Sequence, residues 1–263
     1  MTLFGFDRRD VATIWNFSRM FLRDRYLGSR LGTVWAVVNP LLMLAIFTFV
    51  FGFVFKARLP GAETTFAYSI WLIAGYGPWL AISESLNASA LTVVSNGGIV
   101  KNMAFKTECL PLAATLVGVV PLMVSIVFVV ILMFFDGNAP TWHAIAVFPG
   151  IILGLMFLAA IGTGFAALTV FVRDFGLILP TLLTAMLFGT PILYPAEAVP
   201  GFLRAAAVWN PFYLISEFVR QPLVYHKIPP LQSWLYVAVL TSVIAWINLR
   251  IFRRLKGSFT SVL

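Results

Sequence analysis

LGTVWAVVNPLLMLAIFTFVFGFVF, residues Leu31–Phe55, runs for 25 positions between Arg30 and Lys56 without a charged side chain. As an α-helix rising about 1.5 Å per residue it outreaches the ~30 Å hydrocarbon core of a bilayer. The same criterion selects Phe66–Val94, Leu110–Phe135, Ala144–Val172, Ile178–Tyr194 and Trp234–Phe252. The chain is 60% hydrophobic and 11% charged, more apolar surface than one soluble core buries, and lipid takes the excess. The expectation is an all-α integral membrane protein with six transmembrane helices. Gly75, Gly77 and Pro78 interrupt the second span, which is expected to be kinked or partly unwound there. Pro180 and Pro191 flank the short fifth span.

The net charge of +8 sits at the ends of these segments and not along one polar surface, so it argues for a membrane and against nucleic acid. Thirteen of the 18 Lys and Arg residues fall on the side of the first, third, fifth and last inter-span segments. The positive-inside rule then puts both termini in the cytoplasm. The long stretch Tyr194–Ser233, with Pro195, Pro200, Pro211, Pro222, Pro229 and Pro230, reads as re-entrant helices before the last span. No internal inverted repeat, soluble domain or cleavable signal is evident. The chain reads as a single domain over 1–263: an interface helix and loop (1–30), a six-span region (31–252) and a cytoplasmic tail (253–263).

At 100° per residue, Val11, Ile14, Trp15, Phe17, Ser18, Phe21 and Leu22 share one side of an N-terminal helix, and Thr13, Asn16, Arg19, Arg23 and Asp24 the other. That pattern suits a helix lying in the membrane interface. The loop that follows sets Arg25, Gly28, Ser29, Arg30 and Gly32 at the mouth of the first span. Arginine forks match phosphate oxygens and glycine lets backbone N–H groups turn toward an anion, so these five are the candidate phosphate site. A basic stop-transfer flank is the structural alternative.

Inside the spans, Glu84 among Ser83, Ser85, Asn87 and Ser89 is a costly intramembrane carboxylate and must face a cavity or a partner. A proton relay is disfavoured because no second buried ionisable residue is evident. Phe47, Phe51 and Phe55 share a face at the end of the first span. With Trp79, Glu84 and Tyr194 they are candidate channel-lining residues, lipid packing being the alternative for the aromatics. Trp71, Trp79, Trp209, Tyr194 and Tyr213 lean toward an interfacial belt. Cys109 is a lone cysteine, and His143 and His226 lie in separate loops without ligands at metal spacing. No catalytic triad or carboxylate pair is present.

The string Tyr26-Leu27-Gly28-Ser29-Arg30-Leu31-Gly32-Thr33-Val34-Trp35 with Asn39-Pro40-Leu41 resembles the start of type-2 ABC permeases that export O-antigen, capsule or teichoic acid polymers. The resemblance continues through Asn96–Phe105, Arg173-Asp174, Thr190–Pro195, Asn210-Pro211 and Arg220, although Lys106 stands where that family often has proline. It implies a homodimer of six-span subunits in the bacterial inner membrane, joined to two copies of a separate ATPase. That ATPase would bind ATP and Mg; this chain has no phosphate-binding Gly-x-x-x-x-Gly-Lys motif. By the same resemblance Asn96, Ile99, Lys101, Met103, Phe105 and Lys106 form the coupling turn to the ATPase. The cargo is expected to be polyprenyl-diphosphate-linked O-antigen. The alternatives are a capsule or teichoic acid polymer, a drug or lipid, or, with a different chemistry, a membrane glycosyltransferase.

Overall fold

The computed structural model describes residues 6–54 and 65–262, and every regular element among them is helical. Helix α1 (Arg8–Asp24) is followed by a loop, a 3-10 turn and α2 (Trp35–Phe47), which runs on as a π-helical stretch, Thr48–Val54. Then come α3 (Thr65–Ser95), the short α4 (Gly97–Asn102), and α5 (Cys109–Thr115), which leads through another 3-10 turn into α6 (Val119–Phe135). The chain closes with α7 (Val147–Phe171), α8 (Arg173–Gly189), α9 (Gly201–Val208), α10 (Pro211–Val224) and α11 (Leu231–Val262).

Among the described residues, four segments are long and apolar enough to cross a bilayer: Gly32–Val54, Cys109–Phe135, Trp142–Phe171 and Leu231–Phe259. They agree closely with the expected first, third, fourth and sixth spans; Phe55, Lys56 and Arg58 lie outside the described residues. The expected second span is α3, long enough at 31 residues but less apolar. It is the central element, packed against α5, α6, α7, α8 and α10. Two of its buried serines are satisfied there: Ser85 donates to the Thr115 carbonyl (2.7 Å) and Ser89 to that of Pro111 (3.1 Å).

Contrary to expectation, α3 is not unwound at its glycines. Gly75 and Gly77 are close-approach sites: a Cβ at the first would run into the Arg220 guanidinium and at the second into Ser125. The fifth span is also shifted. It starts at Arg173 and ends at Gly189, so Pro180 is inside it and Thr190-Pro191 is beyond it. The last helix continues past Phe252, so the segment expected as a tail is helical through Val262. Trp71 and Trp79, 2% and 3% exposed, are core residues and not belt residues.

Contacts between distant elements define two ends. Lys106 pairs with Asp10, Arg253 and Lys256 with Glu108, and Arg173 donates to the Val262 carbonyl. Helix α1, the 103–108 turn, the α7–α8 junction and the end of α11 therefore share one end, here the terminal end. At the opposite end Tyr68 donates to the Leu193 carbonyl, and His143 and His226 both bond the Thr141 hydroxyl at 3.0 and 3.2 Å. The two histidines expected in separate loops thus meet.

Candidate functional site

At the terminal end a cavity of about 400 Å³ opens beneath α1. Its walls include Arg25 and Tyr26 from the α1 end, Asn39 and Pro40 from α2, Glu84 from α3 and Pro121 from α6. Glu84 is ion-paired with Arg25 across it. The carboxylate that had to find a partner finds the arginine that falls on the apolar side of the extrapolated interface helix. The side chains of Arg25 and Glu84 are 44% and 26% exposed, so the pair stays open to the cavity.

The loop that positions Arg25 is a chain of tight turns. Gly28 and Gly32 have φ of +83° and +53°, and no neighbouring atom lies within 4 Å of where a Cβ would stand, so backbone conformation and not space requires glycine there. The Ser29 and Gly32 amides close turns onto Tyr26 and Ser29, and the Ser29 hydroxyl also donates to Tyr26. Among the described residues, the loop amides of Gly28, Arg30 and Leu31 donate to no protein acceptor. Arg30, Gly28 and Ser29 are exposed and outside the cavity lining.

Helix α1 docks on α5 through its half-buried face, while Val11 (61% exposed) and Trp15 (56%) remain free for lipid. Phe17 packs on Phe105 at 5.3 Å between ring centres. Asp10 accepts from the Asp7 backbone N–H (2.7 Å) and from Lys106 (2.6 Å). The first bond, then the second, hold its carboxyl below the ordinary range, and Asp10 in turn raises Lys106. Phe105 and Lys106 of the expected coupling turn therefore face α1. Met103 is 59% exposed, Lys101 is exposed, Ile99 is half-buried, and Asn96 donates to the Thr92 carbonyl at the end of α3.

The candidate channel residues divide. Phe47 and Phe51 lean on Tyr76 and Tyr68 of α3, Trp79 meets Phe212 edge-on in the core and has no open face, and Tyr194 donates to the Phe188 carbonyl. Tyr194 and Asn210 border a second cavity of about 490 Å³ at the opposite end.

Beside that cavity lies a polar knot that sequence reasoning missed. Arg220 on α10 donates to Glu217 (2.9 Å), to the Trp71 carbonyl (3.2 Å) and to the Ile192 carbonyl (2.6 Å), and its guanidinium stacks 4.2 Å from the Trp71 ring centre. The second Glu217 oxygen accepts from Gln221 (3.0 Å). Glu217 and Arg220, together with Glu108 at the terminal end, correct the expectation that no second ionisable residue is buried. An opposite-charge pair at i, i+3 in an apolar stretch was the available signal. Among the described residues no three His, Cys, Asp or Glu side chains come together as a metal site.

The family model described as ABC-2 type transporter matches residues 12–224. The chain belongs to this family. As an ABC-2 transporter with several membrane-length apolar helices it is a multi-pass membrane protein. It is 27% identical over 248 residues to the O-antigen export system permease protein RfbA of Klebsiella pneumoniae, covering 92% of this chain and 91% of the relative. Its identity to the Myxococcus xanthus protein of the same name is 25% over 241 residues, 90% of each. To the Escherichia coli polysialic acid transport protein KpsM it is 24% over 253 residues, 95% of each.

Proposed function

We propose that this chain is the six-span, channel-forming subunit of a homodimeric exporter in the bacterial inner membrane. It moves polyprenyl-diphosphate-linked O-antigen polysaccharide from cytoplasm to periplasm. Two copies of a separate ATPase, binding ATP and Mg, would drive the transport. The relatives' names support the polymer class, and the excess of Lys and Arg at the terminal end supports its cytoplasmic placement. Helices α3 and α8 make up the six spans: α3 is sheltered by its neighbours, and α8, at 17 residues, is close to the shortest that reaches across. Because α8 runs away from the terminal end and α11 runs back to it, α9 and α10 enter and leave on one side, as re-entrant helices do.

The observation that carries the reading is an arginine held in an open cavity walled in part by the start of the first apolar span, with unspent amide donors on the loop that follows it. A lipid diphosphate fits that depth and chemistry, its tail in the leaflet and its sugars in the cytoplasm. Arg25 is the charge partner in the cavity, Arg30 the second at the mouth, and Gly28, Ser29 and Gly32 shape the loop between them. The exposed Met103, with Asn96, Ile99 and Lys101 on the same turn, would meet the ATPase, and Phe105 and Lys106 would pass its motion to α1.

The test is surface polysaccharide in cells carrying the Arg25→Ala/Arg30→Ala double variant at matched expression. Export is expected to fall at least about tenfold, with insertion and ATPase co-purification intact and only partial rescue by lysine, which lacks the bidentate fork. Normal export would reduce both arginines to topology signals. KpsM, matched over 95% of its length, makes a capsular polymer the second reading of the cargo.

A further inference from the structure

Glu84 has one polar partner among the described residues, Arg25, and it sits on the wall of the cavity and not behind it. Glu217, by contrast, is held through both oxygens, by Arg220 and Gln221, and is sealed. A carboxylate held once, in an open site, is a removable counter-ion. A guanidinium has five N–H donors, and one carboxylate does not use them all. Resting on the reading of Arg25 as the diphosphate partner, we infer that Glu84 is a charge-threshold filter: it occupies Arg25 as a resident monoanion, so that only a ligand of higher charge displaces it.

The physical problem this solves is set by the location. The cavity opens at the membrane, where phosphatidylglycerol and other lipids carrying a single negative charge greatly outnumber any polyprenyl diphosphate. Arg25 alone would bind them all by the same charge-assisted contacts. With Glu84 in place, a monoanionic headgroup exchanges one single charge for another and leaves a carboxylate unpaired at membrane depth, an unfavourable trade. A diphosphate brings more than one negative charge and several acceptor oxygens. It reaches Arg25 and the unspent loop amides of Gly28, Arg30 and Leu31 together, and so overcomes that loss. Specificity here comes from a repulsive element as much as an attractive one.

The experiment uses the full chain in nanodiscs, with farnesyl diphosphate as the probe, in phosphatidylcholine alone and in discs rich in phosphatidylglycerol. For the wild type the Kd should be nearly the same in both lipids. Glu84→Gln should bind the probe about tenfold tighter in phosphatidylcholine and lose most of that gain in phosphatidylglycerol, because the monoanionic lipid now competes. Arg25→Ala should bind weakly in both, and Arg25→Ala/Glu84→Gln should match Arg25→Ala, since Glu84 acts only through the arginine. If Arg25→Ala weakens binding but Glu84→Gln equals the wild type in both lipids, or binds more weakly, the filter is refuted and the diphosphate site stands. If Arg25→Ala binds like the wild type, the site itself fails. A double variant as tight as Glu84→Gln would show plain repulsion by Glu84 and also refute the filter.

Discussion

Arg25 and Glu84 meet at the terminal end with side chains 44% and 26% exposed, while Arg220 and Glu217 meet at the opposite end with 2% and 6%. The first pair joins two elements across a cavity, has no other ion-pair partner among the described residues and lies beside donors left free. The second lies within one helix, is bonded at all three Arg220 nitrogens and both Glu217 oxygens, and fastens α10 to α3 and to the segment after α8 through carbonyls. The same two residue types thus serve exchange in one place and permanence in the other. What separates them is desolvation: a buried pair is costly to make but far costlier to break by halves. The other ion pairs of the terminal end, Asp10–Lys106, Arg253–Glu108 and Lys256–Glu108, also link separate elements and also keep their cations partly exposed.

The largest effect should come from halving the sealed pair. Arg220→Ala leaves Glu217 charged in the core and two carbonyls without their donor, a loss of about 3–5 kcal/mol. Arg25→Ala, at an open pair, should cost about 1 kcal/mol or less. Thermal unfolding of the two variants in detergent compares them directly, and equal shifts would erase the distinction between the ends.

A second contrast uses glycines. Gly75→Ala drives a methyl into the Arg220 guanidinium and should destabilise by about 1–3 kcal/mol, as overpacking does. Gly28 has open space around it but a φ of +83°, so Gly28→Ala should cost about 1–2 kcal/mol, and Gly28→Asn less, because asparagine tolerates the left-handed region. Unfolding midpoints for the three variants check this. An alanine at Gly75 as harmless as one on an exposed face would show that the knot is looser than its distances say.

Much of this was legible in the sequence, because length and hydropathy alone decide whether a helix suits lipid. That is why the segments around Leu31–Phe55 and Leu110–Phe135 were found to within a residue or two, and why α3, where polarity and packing compete, was harder. Gly75 and Gly77 were misread as a place of unwinding because a glycine signals close approach as readily as a hinge, and only the neighbour decides which. Glu217 and Arg220 were missed as a pair because burial is a tertiary property. Glu84 was marked by the cost of charge inside a span and Arg25 by its match to phosphate. Their pairing was not seen, since residues in separate elements have no spacing rule, yet a carboxylate that needs a partner and a nearby arginine of opposite sign were a reason to join them.

Between the extremes lie the aromatic contacts of the coupling turn. Phe105→Ala removes the ring pair with Phe17 and should loosen α1 by about 1 kcal/mol, whereas Met103→Ala trims a side chain that is mostly exposed. The expected outcome is a split: Phe105→Ala raises proteolysis of α1 with little effect on ATPase capture, and Met103→Ala lowers ATPase capture and leaves α1 protected. Limited proteolysis and co-purification separate them. If Phe105→Ala alone abolished capture, that ring and not Met103 would be the docking contact.

The smallest effect belongs to the Asp10–Lys106 ion pair, whose ammonium is partly exposed, and its sign follows from the shifts. The Asp10 carboxyl lies below its ordinary value of 3.8 because the Asp7 N–H and Lys106 bond its charged form, so its contribution is full above that value and disappears as pH falls through the folded one. Lys106 lies above its ordinary 10.5 because Asp10 bonds the ammonium, so its contribution is full below 10.5 and disappears as pH rises through the folded value. The clamp between α1 and the turn should therefore hold unchanged between about pH 5 and 9 and open only in acid or strong base. Spin labels at Asn16 and Asn102, both exposed, should report a fixed distance across that range and a longer one only in stronger acid, as pH falls through the lowered folded value of Asp10. Asp10→Asn should already be longer at neutral pH and lack the acid step. High salt should lengthen the distance in the wild type, since at about 1 M the screening length falls to roughly 3 Å, while the sealed Arg220–Glu217 pair should not respond. A distance that drifts between pH 5 and 9, or an acid step that persists in Asp10→Asn, would mean that the terminal end is held by something other than these open charges.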